Sequence, residues 1–395
     1  MRKRFSYNNE YIVSIYSKMI IVILSLFISI FLNRFLGVEL RGEYAIITNY
    51  VSISTIIFGL GLYQVFAFKK NKSDFCFDNY FNNLLGLNLI YFLISIGLYL
   101  FLDIPISIKM AILLTPIAIS IKQLNYIIMI EFPNIRNTLA IFLKIIEFVL
   151  VIIFYFFISK SYFAMLFILF FVELSQFIIF MPKILKMVDN FKPTVSMLLP
   201  LIKIGILPMF TVLMMSINYR IDILMLERLE DLHQIGLYSV GVSLAERIWI
   251  VPDALKDVLL SKLVKGKGAR EVIKVTIVSL LCSAVLIIPI LIFGKYLIII
   301  LYGEGFADAF KTTSIIIFGT IGMIFYKMIY TFNVVRGKIG LNFSFLCISA
   351  LANVILNLKL IPLYGIEGAA ISSVGSYSIC GIFFVIAFLK NIKRP

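Results

Sequence analysis

Apolar runs of about twenty residues, each closed by a short polar stretch, recur along the whole of this chain. A bilayer core about 30 Å thick needs about twenty apolar residues as helix, so the pattern predicts about twelve spanning helices. They fall near 11–33, 44–67, 80–102, 108–130, 137–158, 161–182, 203–226, 236–259, 272–294, 312–335, 340–361 and 365–389. The connections are short, and the longest, near 183–202, is about 20 residues. That leaves no extramembrane domain to hold separate chemistry.

The two halves echo each other. ELRGEYAI between the first two spans is matched by HQIGLYSV between the seventh and eighth, each with a Gly-x-Tyr entering a helix, Gly42/Tyr44 and Gly236/Tyr238. The offset of 194 is close to half of 395 and also carries the first span onto the seventh. Two six-helix repeats follow, 1–195 and 196–395, with a cavity expected between them. The fold class is therefore an all-α polytopic membrane protein, with two six-helix bundles around a central cavity.

Composition agrees: 61% of residues are hydrophobic and only 14% charged. The net charge of +15 is spread over short loops, so no basic domain exists to follow nucleic acid. With the N-terminus inside, about 19 basic residues, Arg2, Lys3, Arg4, Lys393 and Arg394 among them, lie on the cytoplasmic side, against about 8 opposite. This places both termini in the cytoplasm. Cys76, Cys282, Cys347 and Cys380 lie far apart and His233 stands alone, so neither a disulfide frame nor a metal site is expected. No Asp-x-Asp or long outer loop suggests an enzyme, and no cofactor is implied.

Charge inside the apolar runs carries the functional information. Lys18, Lys122, Lys144, Arg220, Arg247 and Lys327 all fall there. A cation in hydrocarbon costs from about 2.5 kcal/mol upward, so such residues face protein or a water-filled cavity. In the eighth span Ser239, Ser243, Glu246, Arg247 and Asp253 mostly share one helical face, a cavity wall or one side of an ion pair to a neighbouring helix. Lys144 and Glu147, three apart, can form an internal salt bridge or serve transport. Lys18, Lys122, Lys144 and Lys327 lie within snorkelling reach of the cytoplasmic face. Arg220 with Asp222 is a gate, a ligand site or a stabilising pair. Glu173 is a lone acid, either proton-coupling or hydrogen-bonded for structure. Asn342, Ser349, Asn353 and Asn357 form one stripe that either joins helices or contacts sugar. Pro116, Pro208, Pro252 and Pro289 are candidate hinges.

Four stretches, RFLGVELRGEYAI (34–46), NYRIDILMLERLEDLHQIGLYSVGVSLAERI (218–248), LYGEGFADAF (301–310) and NLKLIPLYGIEGAAISS (357–373), resemble the polysaccharide-biosynthesis flippases. These belong to the multidrug/oligosaccharidyl-lipid/polysaccharide exporter superfamily, and the resemblance runs over nearly the whole chain. Arg34, Gly42, Asp222, Gly236, Tyr238 and Gly303 match the family pattern as fold or gate positions. The resemblance implies alternating access in a bacterial inner membrane, with undecaprenyl-pyrophosphate-linked oligosaccharide as cargo for O-antigen, lipopolysaccharide or capsule-type polysaccharide. Membrane lipid and other polysaccharide-assembly proteins are the implied partners. Arg247, Lys144, Lys18, Lys122, Lys327 and Arg220 are the candidates to hold the pyrophosphate. Glu246, Glu147, Glu173 and Asp222 are the candidates to couple transport to H+ or Na+. A multidrug exporter of the same fold and a membrane polysaccharide polymerase are the alternatives.

Overall fold

The computed structural model describes residues 2–73 and 75–392. Lys393 and Arg394 lie outside the described residues, as do the side chains of Arg2, Lys3 and Arg4. The described residues form helices and no strand. In order these are α1 (Arg2–Phe58), α2 (Leu62–Lys69), α3 (Phe77–Phe101), α4 (Ile106–Glu131), α5 (Pro133–Phe157), α6 (Tyr162–Leu185) and α7 (Leu198–Leu226). There follow α8 (Leu232–Glu246), α9 (Ile250–Val264), α10 (Ala269–Tyr302), α11 (Ala309–Ile316), α12 (Gly319–Val335) and α13 (Ile339–Ile392). Helix is the expected answer, because backbone groups in hydrocarbon must be satisfied within their own segment.

Eight of these helices are individually long and apolar enough to cross a membrane. Two of them carry two predicted spans each. α1 has 57 residues and α13 has 54; at about 1.5 Å per residue either is more than twice the bilayer core. Each bends at one glycine, Gly37 at φ +69° and Gly365 at φ +56°. The sequence predicts a loop at each place; the structure puts a single left-handed residue there, a conformation glycine adopts without a Cβ clash. The bent pair α11–α12, at 46°, raises the count to nine among the described residues; the predicted eighth span falls on α8 and α9. The result is an all-α polytopic membrane protein. α4, α7 and α10 run on through Pro116, Pro208 and Pro289.

The helices form two compact units. One holds residues up to Gly37 together with Ile47–Val212; the other holds Val38–Ile46 together with Leu213 onward. The first packs around Leu62, Phe66, Tyr80, Phe81, Leu124 and Phe180. Its connection between α6 and α7 is strapped to the start of α3. Asn82 donates to the Asn190 carbonyl at 2.7 Å and accepts from the Lys192 N–H at 3.0 Å, while Asn83 accepts from the Met197 N–H at 3.0 Å. The second unit packs around Trp249, Leu259, Met323, Phe332, Tyr377 and Phe384. Ile273, Ile277, Leu281, Val285, Ile288 and Ile292 stand exposed along one stripe of α10. Such a stripe is tolerable only against lipid or another apolar surface.

Candidate functional site

Hydropathy predicts an unbroken eighth span, and the structure breaks it. α8 ends at Glu246, Arg247–Trp249 form one 3-10 turn, and α9 resumes at Ile250. Pro252 lies just beyond and has no N–H to give the preceding turn. Broken spans free backbone groups and are where transporters build binding sites. A second break, between α11 and α12, lies against the first. The Trp249 indole N–H donates to Thr320 Oγ1 at 3.4 Å, and Thr313 Oγ1 donates to the Gly241 carbonyl at 3.1 Å.

Arginines gather at this break. Arg220 on α7 reaches the Glu246 carboxylate at 3.6 Å. Arg247, adjacent to Glu246 on the helix, points elsewhere, and its Nε is buried without an acceptor. Arg41 joins them. Its Nε is likewise buried and unpartnered, and its guanidinium lies 5.0 Å from the centre of the Tyr44 ring. Arg41 is within electrostatic reach of Tyr302, Arg220 and Arg247. From sequence, Arg41 is one more loop cation; the structure folds it into the cluster.

Its place is set by the echoed glycines. A Cβ on Gly42 would overlap the Leu232 carbonyl and crowd the Gly236 N–H, and one on Gly236 would overlap the Val38 carbonyl. The two Gly-x-Tyr motifs pack directly on each other, holding segment 38–46 against the start of α8.

Lys327 on α12 is only 8% exposed and does not reach for headgroups. It donates to Asp253 Oδ2 at 2.8 Å and lies 5.0 Å over the Trp249 ring. Asp253 also takes Lys256 at 3.3 Å. With Lys327 matched by Asp253 and Arg220 by Glu246, Arg41 and Arg247 supply the cationic excess.

Asp222 is within electrostatic reach of Arg220 but makes its hydrogen bonds elsewhere. It is 2% exposed and accepts hydrogen bonds from the Tyr238 hydroxyl, from Ser373 Oγ at 3.2 Å and from the Ile223 N–H at 2.9 Å. The stripe Asn342, Ser349, Asn353 and Asn357 joins helices. Ser349 and Asn353 bond Ser376 across the two arms of α13, Asn357 donates to Asn353, and Asn342 is held by Asn333 of α12.

The other candidates lie in the first unit. Lys144 Nζ meets Glu147 Oε2 at 2.6 Å on α5. Glu173 on α6 is within electrostatic reach of both. Lys122 turns over the Tyr63 ring at 4.7 Å, and Lys18 is exposed on α1. The structure thus divides the predicted set. Arg220, Glu246, Arg247, Lys327 and Asp222 are together in the second unit, and Lys18, Lys122, Lys144, Glu147 and Glu173 are in the first. A planar guanidinium with unmatched N–H groups in an apolar setting suits a phosphate or carboxylate.

Neither a family model nor a curated protein matches this chain in sequence. Solved structures do match in fold. Lipid II flippase MurJ in an inward closed conformation superposes with a TM-score of 0.78 at 16% identity, over 97% of this chain and 87% of that one. An inward-facing multidrug resistance MATE family transporter of the MOP superfamily gives 0.69 at 12% identity, over 97% and 98%. A MOP superfamily transporter from Pyrococcus furiosus, described by the reverse polarity of its binding pocket, gives 0.60 at 13%, over 97% and 94%. At these identities the likeness is one of fold alone, shared with these three solved structures.

Proposed function

We propose that this chain is a flippase moving undecaprenyl-pyrophosphate-linked oligosaccharide repeat units across a bacterial inner membrane for surface-polysaccharide assembly. The observation that carries this reading is the arginine cluster at the break between α8 and α9. A pyrophosphate diester is a dianion rich in acceptors. Arg247 and Arg41, each with a buried and unmatched Nε–H, and Arg220 beside Glu246 offer the planar forks that bind such a group. Lys327 and Lys144 already face Asp253 and Glu147, so on this reading the arginines hold the headgroup. Lys18 and Lys122 add positive potential in the first unit.

In this account, alternating access by two six-helix halves, 1–195 and 196–395, about a central cavity moves the headgroup while the polyprenyl tail stays in lipid. Both termini are cytoplasmic. No bond of the cargo is made or broken, so the chain is a transporter and not an enzyme. Glu246, Glu147, Glu173 and Asp222 are the carboxylates available to couple transport to H+ or Na+. The likeness in fold to the lipid II flippase MurJ supports a lipid-linked cargo.

The MATE neighbours favour a second reading, an ion-coupled drug exporter. Cationic drugs call for a carboxylate-rich site, and the excess of guanidinium at the break opposes that. Resistance assays in a pump-deleted host discriminate the two. For the flippase, depletion in a host lacking any substitute strands lipid-linked repeat units on the cytoplasmic face. Normal surface polysaccharide after clean deletion would count against it.

A further inference from the structure

An amide in an apolar span is expected to bond a neighbouring helix, because its polar atoms are costly to leave unmet in hydrocarbon. Other amides of the first unit do so. Asn82 and Asn83 hold the strap, and Asn88 of α3 donates to Gln123 of α4 at 2.8 Å. Asn125 of α4 and Gln176 of α6 differ, since neither makes a hydrogen bond among the described residues. Both line a cavity of about 210 Å³ among α1, α4, α5 and α6. Gln176 stands about 14 Å along the helix from the end of α6 at Leu185, well inside the span.

The rest of the wall narrows what the cavity can hold. Lys144 of α5 donates to Glu147 at 2.6 Å, so these two charges cancel. Ser175 gives its hydroxyl proton to the Val172 carbonyl at 2.8 Å and keeps its oxygen lone pairs as acceptors. Arg136 lies about two turns before Lys144, where its guanidinium reaches the Asn137 amide at 3.4 Å. Leu143 and Phe180 make part of the wall apolar. Each free amide offers two N–H donors and a carbonyl acceptor. A dianion would meet Glu147, and a cationic drug would meet Lys144 and Arg136. An uncharged ring carrying adjacent hydroxyls meets neither objection. Its hydroxyls both donate and accept, as the amides and the ion pair do, and its C–H face suits the apolar wall. The volume takes one such ring and not a chain of them.

We propose that this cavity is a sugar subsite holding one uncharged pyranose ring, with Gln176, Asn125 and the Lys144–Glu147 pair bonding its hydroxyls. The arginines of the second unit serve the diphosphate, so the two parts of the cargo are read by different sets of residues. Assigning the ring to the cargo rests on the flippase reading; binding of a sugar by the cavity does not. On the predicted topology the α4–α5 and α6–α7 connections are cytoplasmic, which puts the subsite on the side where cargo is loaded.

Saturation-transfer NMR on the purified full chain, in nanodiscs whose lipids carry no sugar, tests the subsite without any flipping. The probes are the methyl glycosides of glucose, galactose, N-acetylglucosamine and rhamnose. At least one is expected to receive saturation above the level of empty nanodiscs. Gln176→Met and Asn125→Leu, which remove the free amides, are each expected to weaken that binding roughly 3- to 10-fold. Leu174→Ala, on the exposed face of α6, leaves it unchanged. Thermal unfolding confirms that each variant is folded. No probe bound above empty nanodiscs, or a bound probe indifferent to both amide variants, overturns the proposal. Displacement of the probe by an equal concentration of inorganic phosphate would make the cavity an anion site and overturns it as well. Protein that binds a glycoside but flips no polyprenyl-diphosphate oligosaccharide in proteoliposomes loses the flippase reading and keeps the subsite. Protein that flips that lipid and binds no glycoside does the reverse.

Discussion

At the scale of single residues, the account rests on two guanidinium groups, those of Arg41 and Arg247, each with a buried Nε–H that finds no acceptor. Arg247 was legible in the sequence because a cation in an apolar run is conspicuous. Arg41 was not, since it stands among polar neighbours in VELRGEY, where a cation looks like ordinary loop charge. Charge-assisted hydrogen bonds contribute about 1.5–3 kcal/mol, so Arg41→Gln is expected to weaken pyrophosphate binding roughly 10- to 150-fold. Trp249, the chain's single tryptophan, lies in the same 3-10 turn as Arg247, so its fluorescence during pyrophosphate titration reports the loss. An unchanged titration would take Arg41 out of the site. Asp222 makes a separate point. Its partners Tyr238 and Ser373 lie 16 and 151 residues away, so no local pattern could name them together. Tyr238→Phe removes a donor from a buried carboxylate and is expected to cost about 1–3 kcal/mol, read as a lower unfolding midpoint.

At the scale of elements, hydropathy located the spans and misjudged their joints. Hydropathy alone does not mark the break at Arg247 in the run from 236 to 259; the cue there is Pro252, one of the candidate hinges. RFLGVELRGEY looks like a loop because of its charges, and IPLYGIEG because of its proline and glycines. Each is instead crossed with a single left-handed glycine, and backbone bonding continues on both sides. Gly365→Ala therefore meets two obstacles, a φ of +56° and a Cβ 2.8 Å from the Glu230 carboxylate. It is expected to cost about 1–2 kcal/mol from the backbone alone. The Gly42–Gly236 crossing is less forgiving, because what a new Cβ would meet is backbone. Gly236→Val should destabilise by about 1–3 kcal/mol and loosen segment 38–46, measurable as faster amide exchange over those residues. Wild-type exchange there would show that the close approach is not what holds the segment.

At the scale of the whole molecule, the sequence carried the fold class because the apolar runs are written in composition. The division of labour among the buried charges was not written there. Ion pairs such as Lys327–Asp253 and Arg220–Glu246 join residues 74 and 26 positions apart, and only folding shows which cations are matched. Setting those pairs aside leaves Arg41 and Arg247 as the groups proposed to hold the anion. The direct test is flipping of a defined undecaprenyl-pyrophosphate-linked oligosaccharide in proteoliposomes containing wild-type protein or Arg247→Ala. The account predicts transport well above empty liposomes for the wild type. For Arg247→Ala it predicts a rate lower by about tenfold or more, with an unchanged unfolding midpoint. Wild-type protein no faster than empty liposomes, or an Arg247→Ala rate equal to wild type, would contradict it.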